Sequence, residues 1–214
     1  MSAPETIDPT RALLCVPTSE EHERLARAAP ASVDPGRWLA VEIIGFGPVA
    51  AAARTAVLCE RHRPERVVLA GIAGGRADGP AIGTASWFGD VALDGVGAGE
   101  GPGLALPSAM GFAQWGDVTE HLSLADDGPS LLTVCAAADG ATMLATRRAR
   151  FPDAVAEDME AFGVALAAHL AGVPAHVVRG ISNAAGDRRH AVWRIDDALD
   201  AVAALLDERM GGEA

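Results

Sequence analysis

The sequence predicts an α/β fold, a single domain of three layers in which helices cover both faces of a sheet. Short apolar runs bounded by turn residues alternate along the chain with longer Ala-, Leu- and Glu-rich segments of helical periodicity. Such alternation of strand and helix is typical of a sheet that is covered on both faces. The chain has 214 residues, half of them hydrophobic, which suits one domain with a full core.

The predicted elements follow one another without an internal repeat or a second domain. Each strand is a short, mostly apolar run such as ALLCV or RVVLA, and each helix has apolar residues spaced for one face. In chain order they are strand 12–16, helix 20–29, strand 38–44, helix 49–61, strands 66–70, 88–93 and 131–135, helix 155–171, strand 175–181 and helix 196–210. The Gly- and Pro-rich stretch 94–127 is predicted to be a loop that serves a site or a subunit contact. We expect a flexible N-terminal segment at residues 1–10 and one domain at residues 11–214.

The predicted helix 155–171 carries a carboxylate beside its apolar face. Its apolar positions recur at three- and four-residue steps, and the helix is expected to end at Gly172. Glu160 lies at the margin of this stripe, where a carboxylate is costly to bury unless a polar group meets it; a solvated edge residue is the alternative. Glu157 and Asp158 are expected to face solvent or to cap the helix.

The composition excludes several classes of partner. All 17 basic residues are arginine and 29 residues are acidic, which gives a formal net charge of −12. We therefore expect neither nucleic acid nor a membrane surface as a partner. No apolar stretch reaches the roughly 18 to 20 residues of a spanning helix, and residues 1–11 lack the pattern of a signal peptide, which together predict a cytoplasmic protein. Three distant cysteines, Cys15, Cys59 and Cys135, are expected to be buried, reduced thiols.

Three motifs lie at the predicted strand ends. Residues 45–50 (GFGPVA) match the GxGxxA dinucleotide fingerprint, but strand 66–70 ends without the carboxylate that would hold a ribose. Residues 71–75 (GIAGG) indicate a ligand-binding strand end or a tight turn. Residues 179–188 (RGISNAAGDR) indicate polar ligand contacts or an Asx turn. Histidine spacing, the absence of GxSxG and the absence of lysine argue against metal, serine-hydrolase and P-loop chemistry, so we expect no cofactor.

Together these motifs resemble the purine nucleosidase and nucleoside phosphorylase superfamily, which includes the methylthioadenosine/S-adenosylhomocysteine nucleosidases. Within it, they resemble the futalosine hydrolases of menaquinone biosynthesis. Residues 156–193 are similar to the family's Met-Glu helix, RGISN strand, GDR loop and downstream tryptophan, and residues 45–47 and 73–75 are similar to its two glycine turns. The resemblance covers most of the chain and replaces the dinucleotide interpretation. It implies a nucleoside phosphorylase-like fold with a central mixed sheet, a nucleoside substrate and a homo-oligomer.

The resemblance also assigns roles to residues. It implies three catalytic residues: Glu21 as the base that activates water, Glu160 on the ribose hydroxyls, and Asn183 on the purine. Seven further residues are expected to bind substrate, namely Thr18, Phe46, Ala73, Gly74, Met159, Ser182 and Trp193. Glu20 and Glu23, at the start of the same helix as Glu21, remain alternatives for the base, and compensation of the helix dipole is the alternative for all three.

The residue types suit cleavage of an N-ribosidic bond. The reaction passes through an oxocarbenium-like state, so the ribose must be held, charge on the departing purine accepted and water delivered. Residues 72–75 (IAGG) offer no hydroxyl for phosphate, which favours hydrolysis over phosphorolysis. The amide of Asn183 can donate to a 6-oxo purine, which favours futalosine, with hypoxanthine and dehypoxanthine futalosine as products. A phosphorylase of 6-oxopurine nucleosides and a non-catalytic nucleoside-binding module remain alternatives.

Overall fold

The computed structural model describes residues 6–211, which form an α/β domain with a mixed nine-stranded sheet between helices. The strands are β1 (Ala12–Val16), β2 (Ala40–Ile43), β3 (Arg66–Gly75), β4 (Ala85–Phe88), β5 (Asp90–Asp94), β6 (His121–Ser123), β7 (Ser130–Val134), β8 (Ala154–Asp158) and β9 (Ala175–Ala184). The helices are α1 (Ser19–Ala28), α2 (Pro48–His62), α3 (Pro107–Met110), α4 (Ala141–Arg150), α5 (Ala161–Ala171) and α6 (Ile195–Arg209). The predicted fold class is therefore confirmed.

The sheet is organised around β3. Its main path has the order β2-β1-β3-β8-β7-β5-β6, while β9 runs along β3 and β4 pairs with β9. Strands β1, β2, β3 and β9 are mutually parallel where they pair, whereas β8 meets only the end of β3 and runs antiparallel to it. The carboxyl ends of β1, β2, β3 and β9 therefore lie at one edge, which is where open α/β sheets bind ligands.

Helices cover both faces of this sheet. On one face, α2 and α5 bury residues such as Leu58 and Phe162 against β1 and β3. On the other face, α1 and α6 bury residues such as Leu25 and Leu199 against the same strands. This arrangement makes the three predicted layers.

The predicted helix 155–171 is wrong in its first part. Residues 154–158 form β8, which pairs in parallel with β7, and only Ala161–Ala171 is helical. Glu157 and Asp158 are consequently buried in the sheet rather than facing solvent, although Asp158 does accept a hydrogen bond from the N–H of Ala161 at 2.9 Å. The Ala- and Glu-rich composition favours a helix, and pairing between two strands overrides that local preference.

Other elements also differ from the prediction. The expected strand 88–93 is divided at Gly89, so that β4 pairs with β9 and β5 with β7. Helix α4 was not predicted, and the stretch 94–127 contains α3 and β6 within an otherwise irregular segment. Cys15 and Cys59 are buried free thiols as expected, whereas Cys135 is exposed.

The N-terminal segment is only partly described. Residues 1–5 of the predicted flexible segment, and residues 212–214 at the other end, lie outside the described residues. Ile7 is buried, and its N–H donates to the carbonyl oxygen of Arg209 at 2.8 Å. Ile7 thus packs against the end of α6. Within residues 6–211, no helix is long and apolar enough to cross a membrane.

Candidate active site

A cavity of about 380 Å³ opens at the carboxyl edge of β1, β3 and β9. All ten residues singled out from the sequence line it: Thr18, Glu21, Phe46, Ala73, Gly74, Met159, Glu160, Ser182, Asn183 and Trp193. They lie at the carboxyl ends of five strands or in the segments that follow them, and the parallel pairing of β1, β3 and β9 brings the distant segments together. Within the described part of the chain, no group of three His, Cys, Asp or Glu side chains is arranged to hold a metal ion.

Glu21 is fixed at the start of α1. Thr18 caps this helix: its Oγ1 accepts from the N–H of Glu21 at 3.2 Å and donates to Glu21 Oε2 at 2.7 Å. The N–H of Ile72 donates to the other oxygen, Oε1, at 3.1 Å. Burial raises the pKa of this carboxyl, and the nearby charge of Arg179 opposes the rise. Each oxygen keeps a free lone pair, so a water molecule can bind to it.

The two alternative bases lie in different surroundings. Glu20 also lines the cavity, but it is exposed and forms an ion pair with Arg24 at 2.8 Å. Glu23 is exposed and is not part of the cavity wall. Of the three candidates, Glu21 alone is buried in the cavity.

Glu160 is buried at the N-cap position of α5, so the alternative of a solvated edge residue is wrong. Its Oε1 accepts from the N–H of Gly47 at 3.0 Å, and its Oε2 accepts from Arg179 Nη2 at 3.1 Å. Burial raises the pKa of Glu160 to about 7, against the opposing charge of Arg179. Gly45 and Gly47 have φ of 90° and 88°, which side chains rarely adopt, so the GFG turn that presents this N–H requires glycine.

Arg179 links the carboxylates, a role that the sequence did not reveal. This fully buried side chain on β9 donates through Nε to Asp158 Oδ2 at 3.0 Å and through Nη2 to both Asp158 and Glu160. Gly71 leaves room for it: a Cβ there would lie 2.2 Å from Arg179 Nη1 and 2.7 Å from Glu21 Oε1. An arginine inside an otherwise apolar strand (AHVVRGI) is the signal that could have indicated this buried cation.

The end of β9 forms a further part of the cavity wall. Ser182 Oγ donates to Asn183 Oδ1 at 2.8 Å, and Asn183 Nδ2 donates to the carbonyl oxygens of Ala184 at 2.8 Å and Asp187 at 3.3 Å. Trp193 Nε1 donates to the same Asp187 carbonyl at 3.1 Å. The amide of Asn183 therefore fixes the following loop while its Oδ1 retains one free lone pair.

A second buried ion cluster supports the cavity from β8. Glu157 lines the cavity and pairs with Arg76 at 3.1 Å and with Arg147 at 2.9 Å. Arg147 also donates to Asp94 at 3.1 Å. Sequence reasoning missed this cluster because α4, which carries Arg147, and β8 were not predicted.

Comparison with known proteins gives consistent relatives. Residues 35–209 match the Phosphorylase superfamily. The chain is 35% identical over 227 aligned positions to a futalosine hydrolase of Streptomyces coelicolor, covering 91% of this chain and 92% of that protein. It is 34% identical over 158 positions to a 5'-methylthioadenosine/S-adenosylhomocysteine nucleosidase of Actinobacillus succinogenes, covering 65% of each.

Solved structures share the fold. A 5'-methylthioadenosine/S-adenosylhomocysteine nucleosidase of Colwellia psychrerythraea, in complex with adenine, superimposes with a TM-score of 0.77 at 19% identity and covers 99% of both chains. The Helicobacter pylori nucleosidase with butyl-thio-DADMe-Immucillin-A gives a TM-score of 0.77 at 14% identity, covering 94% of this chain and 98% of that one. At these identities the likeness concerns the fold.

Proposed function

Because the chain belongs to the phosphorylase superfamily, we propose that it is an N-glycosyl hydrolase that cleaves futalosine with water to hypoxanthine and dehypoxanthine futalosine. The observation that carries this proposal is that one cavity is lined by the buried carboxylates of Glu21 and Glu160 together with the amide of Asn183. Identity to a futalosine hydrolase over most of the chain supports the choice of substrate. In this proposal the reaction serves menaquinone biosynthesis.

The carboxylates divide the work of hydrolysis. Glu160 accepts hydrogen bonds from the ribose hydroxyls through its free lone pairs, and its negative charge balances the cationic sugar as the bond breaks. Glu21 takes the proton from the attacking water, a task for which a raised pKa brings a carboxylate closer to working pH. Arg179 positions both without facing the substrate.

Asn183 serves the departing base. Its Oδ1 accepts from the protonated N7 of the purine while remaining bound to Ser182. Nδ2 gives up the longer of its two hydrogen bonds, the 3.3 Å contact with the carbonyl oxygen of Asp187, and donates to the 6-oxo group of the purine instead. N7 takes a proton from solvent as the N-ribosidic bond breaks, so hypoxanthine leaves as a neutral base held by the amide of Asn183.

Hydrolysis is favoured over phosphorolysis by the cavity wall. Residues 72–75 (IAGG) carry no hydroxyl, and Arg24 at the cavity wall is already paired with Glu20 and Asp196. Arg179 is engaged by Asp158 and Glu160. A phosphate dianion beside residues 72–75 would therefore meet the carboxylate of Glu21, which accepts from the N–H of Ile72, where a phosphorylase needs a cluster of cationic and hydroxyl groups.

Turnover of futalosine with and without phosphate tests the proposal. We expect the purified protein to release hypoxanthine at the same rate in both conditions, measured by chromatography, with a free reducing sugar as co-product. A strict requirement for phosphate would identify a phosphorylase instead. Binding of futalosine without any release of hypoxanthine would identify a binding module.

We further propose that the protein is a cytoplasmic homo-oligomer. The free thiols of Cys15 and Cys59 suit a reducing compartment. The side chains of Phe46, Val49 and Val57 are 68%, 81% and 53% exposed, and Phe46 lines the cavity. A second copy of the chain on this surface would cover them and close the cavity beside Phe46.

A further inference from the structure

The cations of the cavity wall are not equivalent. Arg24 donates to Glu20 at 2.8 Å and to Asp196 at 2.6 Å, so its charge is already matched. Arg188 also lines the cavity, is exposed, and within residues 6–211 forms no ion pair with a carboxylate. It is thus a cation at the cavity wall whose charge is available to a ligand.

The surroundings of Arg188 hold it in place. Its guanidinium carbon lies 5.3 Å from the centre of the Trp193 ring, a cation–π distance, and Trp193 stacks on His190 with ring centres 4.1 Å apart. The bond from Trp193 Nε1 to the Asp187 carbonyl fixes the ring at the cavity. An aromatic platform that carries a free guanidinium suits a planar, negatively charged group.

The charge of the protein explains why an anionic ligand needs a cation at the cavity wall. Because the chain has a formal net charge of −12 and five carboxylates line the cavity (Glu20, Glu21, Glu157, Asp158 and Glu160), the cavity repels an anionic substrate. The substrate of the proposed function carries a carboxylate on the aromatic tail of its sugar. A local cation is needed to accept that carboxylate, and the inner arginines Arg76, Arg147 and Arg179 are already paired with the carboxylates of Glu157, Asp158 and Glu160.

We propose that Arg188 binds the carboxylate of the substrate's carboxyphenyl tail, with the ring of Trp193 beside the tail's aromatic ring, and thereby selects an anionic nucleoside. This inference rests on the proposed function. Arg188 acts in binding and selectivity, and the chemistry at the ribose proceeds without it.

The test compares two substrates and two variants. The substrates are futalosine and its carboxylate methyl ester, which keeps the ring and removes the charge. The variants are Arg188→Gln and Arg189→Gln; Arg189 has the same charge and lies in the same loop, but it pairs with Asp187 at 2.6 Å and does not line the cavity. For Arg188→Gln we expect kcat/KM on futalosine to fall about tenfold through KM, and kcat/KM on the ester to equal that of the wild type.

Further outcomes separate the possible failures. Arg189→Gln should keep the wild-type preference for the acid over the ester, and added salt should raise the wild-type KM for futalosine more than that of Arg188→Gln. Equal losses on both substrates in Arg188→Gln, or an unchanged preference ratio, would overturn the assignment of Arg188. A wild-type protein that releases hypoxanthine from neither nucleoside would instead overturn the proposed function.

Discussion

Glu21 is the residue whose environment best suits a base, since its two oxygens are held by Thr18 and Ile72 in a buried position. We expect Glu21→Gln to bind futalosine while turnover falls on the order of 100-fold or more, because binding uses the sugar and purine contacts and attack needs the proton removed. Calorimetric binding and single-turnover rates measure the two effects. Glu20→Gln and Glu23→Gln are the matched controls; an inactive control beside an active Glu21→Gln would move the base to that position.

Glu160 should give a similar loss of activity with a different signature. In Glu160→Gln an amide cannot balance the cationic sugar, so we expect kcat to fall on the order of 100-fold or more.

The Glu160→Gln substitution also changes how the stability of the protein depends on pH. Burial raises the pKa of Glu160 from 4.5 to about 7 in the folded protein, so between these values the folded state binds more protons than the unfolded state. The contribution of Glu160 to the free energy of unfolding is therefore fully present below pH 4.5 and is lost as the pH rises through about 7.

Thermal melts at several pH values check the sign of this linkage. Between pH 5 and pH 8 the wild-type Tm should decline more than that of Glu160→Gln, because glutamine does not titrate. The upper limit of the effect is about 3 kcal/mol, at 1.36 kcal/mol for each tenfold change in proton affinity. Parallel Tm profiles for the two proteins would show that Glu160 titrates normally.

Asn183 combines selectivity with loop structure. In Asn183→Asp, a carboxylate oxygen replaces the Nδ2 that donates to the carbonyls of Ala184 and Asp187, and it also faces the carbonyl of a 6-oxo purine. We expect kcat/KM on futalosine to fall about ten- to a hundredfold and the preference for the 6-amino analogue aminofutalosine to rise. The ratio of kcat/KM on the two substrates is the readout, because loop damage lowers both values. An unchanged ratio would mean that Asn183 does not distinguish the purines.

At the scale of elements, the contact between α2 and α5 connects packing to the site. A Cβ on Gly163 of α5 would lie 2.3 Å from the carbonyl oxygen of Pro48, so the helices touch through backbone. Gly163→Ala should force them apart, cost about 1–3 kcal/mol of stability and move the Gly47 N–H away from Glu160. Gly103→Ala is the control, since its Cβ meets no atom within 4 Å. Chemical denaturation compares the two, and equal stabilities would contradict the close contact.

Two strands show which parts of the fold could be predicted from the sequence and which could not. Strand β1 was predicted with its observed bounds because ALLCV is apolar throughout and ends at a proline. Strand β8 was not, because AVAED has helical composition and becomes a strand only through its pairing with β7 and β3. The ten predicted residues that line the cavity were assigned through the resemblance to the nucleosidase superfamily, which rests on short motifs. The role of Arg179 required the tertiary structure, since Asp158, Glu160 and Glu21 approach it from two different segments.

The exposed apolar side of α2 is the surface through which we expect the protein to form an oligomer. Val49 and Val57 belong to this helix, where Ala50, Ala53 and Ala56 between them are also exposed, so this side is apolar beside Arg54, which pairs with Glu42 at 3.0 Å. If a second copy covers it, Val57→Glu places a charge in the apolar interface and should give monomers, while Val57→Ala keeps the face apolar and should remain oligomeric. Light scattering coupled to gel filtration gives the masses.

Because Phe46 lines the cavity next to this surface, the monomeric variant should also lose activity. A wild-type monomer, or a Val57→Glu variant of unchanged mass, would exclude assembly through this helix.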